Sequence, residues 1–341
     1  MKNRREFLSG AAALGAGFLV PRSNAAAQSN ASATRIDVHS HFAPPAYISE
    51  IRPKGVANPQ MFDWTPARHM EEMDRAGVAT AVISISPPGV WFVDNPTAGR
   101  ISRTCNDYAA RFAADNKGRI GIFAALPVPD LDGSLKEVEY AFDTLKADGI
   151  SMYTNYGDKW LGDPFFAPLF EELNRRKAVV YTHPISANCC RNVLPDIADS
   201  AIEWGTDTTR AITRLIFTGS AARYPDIRFI FSHAGGTMPY LVERFDLLAK
   251  TPKFAPQLPQ GFVAAANKLY YDTAQTANPA AMSALRKVIG LSQIVFGTDY
   301  PYRTCTEHVK GLKECGQFTA KELLAIDRTN ALALLPRYKA I

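Results

Sequence analysis

From Arg35 onward, short runs of apolar and β-branched residues alternate with amphipathic stretches. The apolar runs predict strands at 35–41, 81–86, 120–126, 149–155, 178–183, 227–233, 269–273 and 294–299. Amphipathic stretches such as 135–147 and 280–289 predict helices between them. Strands that are apolar almost throughout are buried on both faces, as in a parallel sheet covered by helices. This alternation predicts an α/β fold, a (β/α)8 TIM barrel, with an open doubly wound sheet as the alternative.

Histidine and aspartate stand at the C-terminal ends of four predicted strands, at His39, His41, His183, His233 and Asp299. Because alternate residues of a strand point the same way, His39 and His41 share one face and Ser40 takes the other. Catalytic residues of (β/α)8 barrels come from this end of several strands. Three imidazoles and one carboxylate suit Zn²⁺, with Mn²⁺ or Fe²⁺ as alternatives. Separately hydrogen-bonded structural histidines are the competing interpretation.

Composition and charge narrow the function classes. The 341 residues include 47% hydrophobic and 21% charged residues, which is ordinary for a globular domain with a large core. The net charge of +5 is dispersed, and the longest basic run is 175–177. The sequence therefore shows no basic patch of the kind that binds nucleic acid. The five cysteines form no C-x-x-C pair, which argues against a zinc ribbon, and Cys189 and Cys190 are predicted to be loop thiols. No glycine-rich phosphate loop follows a strand, so a nucleotide cofactor is not expected.

The first residues form a pattern typical of an export signal. A twin-arginine motif at 3–8 precedes an apolar run at 11–20 and a small-residue end at 24–27. We interpret residues 1–27 as a twin-arginine signal peptide and expect a periplasmic protein, with an amphipathic N-terminal helix as the alternative. Residues 28–341 then form a single (β/α)8 metal-dependent catalytic domain, and no other stretch is long enough to span a membrane.

Four motifs resemble those of the amidohydrolase-related metal-dependent decarboxylases, a group that includes aminocarboxymuconate-semialdehyde, γ-resorcylate and 5-carboxyvanillate decarboxylases. They are IDVHSH at 36–41, THP at 182–184, FSHAGG at 231–236 and FGTDYP at 296–301. Further stretches are most similar to the 6-methylsalicylate decarboxylases: WTP at 64–66, SISPPGV at 84–90, TNYG at 154–157 and LGDP at 161–164. The resemblance runs from about residue 35 to about residue 335.

The resemblance implies that one divalent ion is bound by His39, His41, His183 and Asp299. His233 would lie beside the ion, next to its water or the substrate. Binuclear relatives carry a carbamylated lysine at the end of the fourth strand, where this chain has Asn155 and Tyr156, so a single metal is expected. Zn²⁺ is the expected metal, and Mn²⁺ is the alternative.

The activity implied by the resemblance is non-oxidative decarboxylation of an aromatic 2-hydroxy acid, similar to 6-methylsalicylate, to a phenol and CO₂. Asp299 would donate the proton, assisted by His233. A metal-dependent hydrolase (lactonase or amidase) or hydratase would use the same residues. A non-catalytic metal-binding barrel is the third alternative.

Five side chains are expected to contact the aromatic carboxylate: Trp64, His69, Trp91, Phe92 and Arg303. Core packing competes with this interpretation for the aromatic residues and His69, and a surface salt bridge competes for Arg303. His308 is predicted to lie on a helix surface, and Asp37 to orient His39 or to hydrogen-bond the strand end. The expected partners are a small aromatic carboxylate and a second copy in a homodimer, with neither nucleic acid nor a membrane span.

Overall fold

In a computed structural model of the protein, parallel strands form a sheet that closes on itself, with helices on its outer surface. The structure describes residues 34–55, 59–92 and 94–340, so the predicted signal peptide at 1–27 lies outside the described residues. The barrel strands are β1 (Arg35–His41), β2 (Val78–Ser84), β3 (Ile120–Ala125), β4 (Gly149–Tyr153), β5 (Val179–His183), β6 (Arg228–Phe231), β7 (Tyr270–Asp272) and β8 (Ile294–Val295). Each pairs in parallel with the next, which confirms the predicted barrel.

The barrel closes between β1 and the segment that follows β8. Ser40 forms a parallel bridge with Tyr300, and the backbone N–H of His41 donates to the Tyr300 carbonyl at 2.7 Å. The predicted eighth strand, 294–299, is therefore too long, since regular pairing with β7 ends at Val295. The chain leaves the ladder there because it crosses over to β1, and Asp299 lies in this crossing segment with a φ of 67°.

The helices are α1 (Pro45–Ile51), α2 (Pro66–Ala76), α3 (Asn95–Asp115), α4 (Leu131–Glu139), α5 (Ala167–Arg175), α6 (Glu203–Phe217), α7 (Ser220–Arg223), α8 (Met238–Ala249), α9 (Gly261–Ala266), α10 (Pro279–Val288), α11 (Cys305–Glu314), α12 (Ala320–Leu324) and α13 (Asn330–Leu334). The helix predicted at 135–147 corresponds to α4 and the π-helical turn Tyr140–Thr144. A two-stranded antiparallel hairpin, Asn155–Tyr156 with Lys159–Trp160, follows β4. Among the described residues, no helix combines the length and apolar character needed to cross a bilayer.

The inside of the barrel is a packed core. One buried cluster joins side chains from most strands: Ile36, Val38, Val82, Phe123, Val179, Tyr181, Ile230 and Val295. Ala331, Leu334, Leu335 and Tyr338 of the C-terminal segment close this cluster. Tyr338 donates to Asp148, immediately before β4, so the C-terminal segment covers the N-terminal ends of the strands. The polar residues at the C-terminal ends of the strands therefore lie above a filled core, and the barrel has no channel beneath them.

Strand β1 contains a β-bulge next to the site. Asp37 pairs with Ala81 of β2, whereas Ser40 pairs with Ile83, so β1 advances three residues while β2 advances two. Bulges are common beside active sites because they change the direction of side chains. This bulge precedes His41 and contains His39, the two histidines that end β1.

Candidate metal centre

Four buried side chains bring their donor atoms together at the C-terminal ends of the strands: His39, His41, His183 and Asp299. One donor atom from each lies within 4.8 Å of the others. His39 Nε2 is 3.1 Å from His41 Nε2, and each of these nitrogens is 3.1 Å from Asp299 Oδ1. Ligand bonds of about 2.0–2.2 Å place neighbouring ligand atoms about 3.0–3.5 Å apart around one ion. The spacing therefore matches the ligands of a single metal ion.

Two donor atoms of the cluster have no hydrogen-bond partner among the described residues, namely His183 Nε2 and Asp299 Oδ1. His183 Nδ1 lies 2.8 Å from the Pro184 carbonyl, so Nδ1 carries the hydrogen and Nε2 keeps its lone pair. Burial lowers the pKa of His183 well below its ordinary value, and the ring is therefore neutral. A buried unsatisfied polar atom costs about 1–3 kcal/mol. A divalent ion shared by the four residues satisfies both atoms, so the donor set fits one metal.

Asp272, at the end of β7, orients His39. Its Oδ2 accepts a hydrogen bond from His39 Nδ1 at 2.8 Å, which leaves Nε2 facing the other donors. Its Oδ1 accepts from the backbone N–H of His233 at 2.9 Å. We did not predict this role of Asp272 from the sequence. The signal was present, because Asp272 ends a strand as the ligand residues do.

The cluster attracts positive charge. Burial lowers the pKa of His39, but the carboxylates of Asp272 and Asp299 outweigh it and raise the pKa to about 10. Burial raises the pKa of Asp299, but the nearby imidazoles, His39 foremost, outweigh it and hold the pKa well below its usual range. A divalent ion therefore competes with the proton of His39, and its affinity falls as the pH falls.

His233 lies beside the four donors rather than among them. Its Nε2 is 3.4 Å from Asp299 Oδ2, whereas Oδ1 is the oxygen that faces His39 and His41. The His233 side chain is 11% exposed, compared with 4% or less for these three residues. Its backbone has a φ of 54°, a strained conformation that the hydrogen bond to Asp272 holds in place. The imidazole therefore connects the carboxylate of Asp299 to the open side of the site.

Gln275 also contacts Asp299 and was missed from the sequence. Its side-chain amide donates to Asp299 Oδ2 at 2.9 Å. Gln275 follows the end of β7 by three residues and has a φ of 57°. Together with His233, this amide holds Oδ2, so that Oδ1 is turned toward the imidazoles of His39 and His41.

Asp37 forms hydrogen bonds with the backbone at the end of β1 and with Thr298, and it does not orient the imidazole of His39. Its Oδ1 accepts from the backbone N–H groups of His39 at 2.9 Å and Thr298 at 3.1 Å. Its Oδ2 accepts from the Thr298 hydroxyl at 2.5 Å. Burial raises the pKa of Asp37 to about 7 despite these hydrogen bonds. The carboxyl thereby joins β1 to the segment that carries Asp299.

Trp64 and His69 lie behind β1, away from the metal ligands. His69 Nε2 is 3.1 Å from the hydroxyl of Ser40, which points to the opposite side from His39. Trp64 donates to His69 Nδ1 at 3.0 Å and packs against Phe42. Both side chains are buried. The structure therefore does not bring them to the substrate side of the site, because His69 meets β1 at Ser40, whose side chain points away from the metal ligands.

The other three predicted substrate contacts lie in loops around the site. Trp91 is 44% exposed and donates to Asn95 Oδ1 at 2.8 Å. Phe92 is half-buried, with Lys54 Nζ 5.4 Å from its ring centre. Arg303 is half-buried in the turn after Asp299. In the part of the chain that the structure describes, none of the three side chains forms a hydrogen bond, an ion pair or a ring contact with the four donor residues.

Two predictions outside the metal cluster are wrong. His308 is buried, and its Nε2 is 3.0 Å from the Thr273 hydroxyl. It lies inward because α11 packs this face against the barrel beside Phe296. Cys189 and Cys190 form a vicinal disulfide in a short 3₁₀ helix after β5, instead of two free thiols.

Aromatic rings stand beside the metal ligands. The Trp204 ring centre is 5.4 Å from that of His183, and the Tyr302 ring centre is 5.7 Å from that of His41. The Tyr302 hydroxyl is hydrogen-bonded to Ser86 at 2.6 Å. Trp204 was not predicted from the sequence, because it lies in α6, well after the strand that carries His183. Aromatic side chains next to the metal ligands can pack against a flat aromatic ligand.

A closed (β/α)8 barrel with three histidines and one aspartate at the C-terminal strand ends defines a metal-binding barrel of the amidohydrolase type. The amidohydrolase family model matches residues 36–337, and the chain belongs to this family. The resemblance found in the sequence is thereby confirmed.

Similar proteins cover nearly the same length. Decarboxylase yanB from Aspergillus niger is 37% identical over 330 residues, 89% of this chain and 88% of that protein. The 6-methylsalicylic acid decarboxylase from Penicillium expansum is 33% identical over 323 residues, 90% of this chain and 98% of that protein. The dihydroxybenzoic acid decarboxylase from Polaromonas sp., solved with manganese and 2-nitroresorcinol, has a TM-score of 0.78 at 22% identity. That match covers 89% of this chain and 97% of the other, and it shows the shared fold.

Proposed function

We propose that this protein is a metal-dependent decarboxylase that converts an aromatic 2-hydroxy acid of the 6-methylsalicylate type to a phenol and CO₂. The observation that carries the proposal is the placement of Asp299. One of its oxygens faces His39 and His41, and the other lies 3.4 Å from His233. The two fungal decarboxylases, matched over most of their length, support the reaction.

The proposed cofactor is one divalent ion, Zn²⁺, held by His39, His41, His183 and Asp299. The set of three neutral nitrogen donors and one carboxylate supports Zn²⁺. Manganese in the Polaromonas enzyme supports Mn²⁺ as the alternative, and metal analysis of the purified protein distinguishes them. When bound, such an ion orients the carboxylate and neighbouring hydroxyl of the substrate and stabilises negative charge on the phenolic oxygen.

The residues of the chain must deliver one proton. Loss of CO₂ requires a new C–H bond at the ring carbon that carries the carboxylate. The electron pair of the breaking C–C bond stays with the ring, and the carboxylate leaves as CO₂. Asp299 is ionised in the resting site, so it first accepts a proton and then delivers it to that carbon.

His233 supplies the route for this proton. Its Nε2 faces Asp299 Oδ2, and its side chain is the partly exposed one in the cluster. A proton from solvent therefore reaches Asp299 through the imidazole. Gln275 keeps the accepting oxygen in position, because its amide donates to the same Oδ2 at 2.9 Å.

The proposal is tested by incubating the metal-loaded protein with 6-methylsalicylate and with lactone and amide substrates. We expect one CO₂ and one phenol for each molecule of the acid consumed, and loss of this activity after a chelator removes the metal. Turnover of the lactone or amide without CO₂ release from the acid would contradict the proposal and favour a hydrolase.

We also propose that residues 1–27 direct the folded protein to the periplasm through the twin-arginine pathway, leaving 28–341 as the mature catalytic domain. The support is the order of a twin-arginine motif, a short apolar run and a small-residue end. Replacing Arg4 and Arg5 together by lysine is expected to retain an uncleaved precursor in the cytoplasm. Normal periplasmic recovery of that variant would contradict the proposal.

A homodimer is the proposed assembly. Helix α8 supports it, because Tyr240, Leu247 and Leu248 are 87%, 60% and 41% exposed. An exposed apolar row on one helix is typical of an interaction surface. Light scattering of the purified protein measures the mass directly, and a monomer would contradict the proposal.

A further inference from the structure

A buried histidine supports, from behind, the strand that carries two metal ligands. His69 of α2 is fully buried on the outer side of β1. Its Nε2 lies 3.1 Å from the hydroxyl of Ser40, the residue between His39 and His41. Because His69 faces Ser40 rather than the ligand side chains, any effect on the metal passes through the strand.

Trp64 determines which nitrogen of His69 carries the proton. An indole N–H can only donate, and Trp64 Nε1 lies 3.0 Å from His69 Nδ1. Nδ1 is therefore the acceptor, and Nε2 carries the hydrogen and donates it to Ser40 Oγ. Burial lowers the pKa of His69 to about 3, which is consistent with a neutral ring. With both nitrogens engaged, the ring has one orientation.

The His69 ring also contacts Tyr300, which lies in the segment that pairs with β1 and closes the barrel. The His69 ring centre is 4.9 Å from that of Tyr300, the residue after Asp299. Tyr300 forms the parallel bridge with Ser40 and accepts the backbone hydrogen bond of His41. One imidazole thus contacts Ser40 and Tyr300, which are the chain neighbours of three of the four donor residues.

This support acts where the strand is irregular. Strand β1 departs from regular pairing between Asp37 and Ser40, so the ladder with β2 alone does not fix the peptide there. The donor atoms of His39, His41 and Asp299 also lie 3.1 Å from one another. Binding of one metal ion requires this close spacing. A contact behind the strand opposes any displacement of β1 that would widen the spacing, and it keeps the ligands ready for the metal.

We propose that His69 is a positioning residue that holds Ser40, and through it His39 and His41, in the geometry that binds the metal. The inference rests on the metal site and not on the reaction. Partners that orient metal ligands typically change metal affinity by about ten- to a hundredfold when they are removed.

Two substitutions at one position separate this role from core packing. The amide nitrogen of glutamine reaches the place of Nε2, so His69→Gln keeps a donor to Ser40. The amide oxygen of asparagine reaches only the place of Nδ1, so His69→Asn keeps the acceptor for Trp64 and loses the bond to Ser40. Ser40→Ala removes the same bond with the loss of one oxygen atom.

The measurement is the dissociation constant for Zn²⁺ in competition with a chromogenic chelator, together with the melting temperature of each metal-stripped protein. We expect His69→Asn and Ser40→Ala to weaken Zn²⁺ binding by about ten- to a hundredfold, and the double variant to be no weaker than either alone. His69→Gln is expected to stay within about threefold of the wild type. The metal-stripped Ser40→Ala protein is expected to melt close to the wild type.

Wild-type Zn²⁺ affinity in both His69→Asn and Ser40→Ala would overturn the inference, as would an equal loss of affinity in His69→Gln and His69→Asn. If His69→Asn does not fold, Ser40→Ala decides alone. No substrate is present in this assay. Its outcome is therefore independent of whether the protein is a decarboxylase.

Discussion

Asp299→Asn is expected to lower kcat by about a thousandfold or more and to weaken metal binding at the same time. The substitution removes the charge of one ligand and the group that delivers the proton, and proton transfer alone is worth about 10²–10⁴ in rate. The shape is nearly unchanged, because an amide replaces a carboxylate of the same size. The measurements are kcat at saturating metal and metal content per chain.

Asp148→Asn is the matched control for the loss of a buried carboxylate. Asp148 lies at the opposite end of the barrel, where it accepts from Tyr338 and pairs with Arg337. This variant is expected to keep its metal and its kcat, with any cost confined to stability. An Asp299→Asn protein that keeps kcat within about tenfold of the wild type would contradict the role assigned to Asp299.

His183→Ala is expected to lose its bound metal and all measurable turnover while the barrel stays folded. One of the four donors is removed, and the loss of affinity should exceed the ten- to hundredfold typical of an outer partner. The barrel should persist, since His183 Nε2 forms no hydrogen bond to any described residue and its removal breaks none. Metal analysis measures the loss of the ion, and circular dichroism measures whether the barrel stays folded.

His233→Ala removes an imidazole from the same cluster and separates metal binding from proton transfer. Because His233 lies beside the donors, the variant is expected to keep its metal and to lose kcat by about a hundredfold or more. Full metal occupancy in His183→Ala, or loss of metal in His233→Ala, would show that these two roles are assigned to the wrong residues.

The sequence predicts the barrel and the metal donors for one physical reason. Parallel strands of a (β/α)8 barrel end on the same side, so polar residues that end different strands meet in space. The alternation rule also separates His39 and His41 from Ser40, as their contacts show. The ends of strands were predicted less well, because β8 stops at Val295 where the chain crosses to β1.

Partners of the metal ligands were harder to predict because they depend on distances between remote segments. Asp272 lies 233 residues after His39, and only the closed barrel brings them together. Gln275 reaches Asp299 from a loop whose left-handed backbone no periodicity reveals. The role of His69 depends on a contact between its ring and Ser40, 29 residues earlier in the chain, and the bulge in β1 is likewise invisible in the sequence.

The central claim is that this site protonates a ring carbon rather than activating water for hydrolysis. The most direct measurement is the isotope content of the product after turnover of 6-methylsalicylate in D₂O and, separately, in ¹⁸O water. The proposed reaction places one deuterium at the ring carbon that carried the carboxylate, because the proton comes from solvent through His233 and Asp299. The phenol should contain no ¹⁸O. A phenol without ring deuterium would contradict the decarboxylase assignment. Failure to turn over 6-methylsalicylate, together with ¹⁸O in the product of a lactone substrate, would also contradict it and would identify a hydrolase.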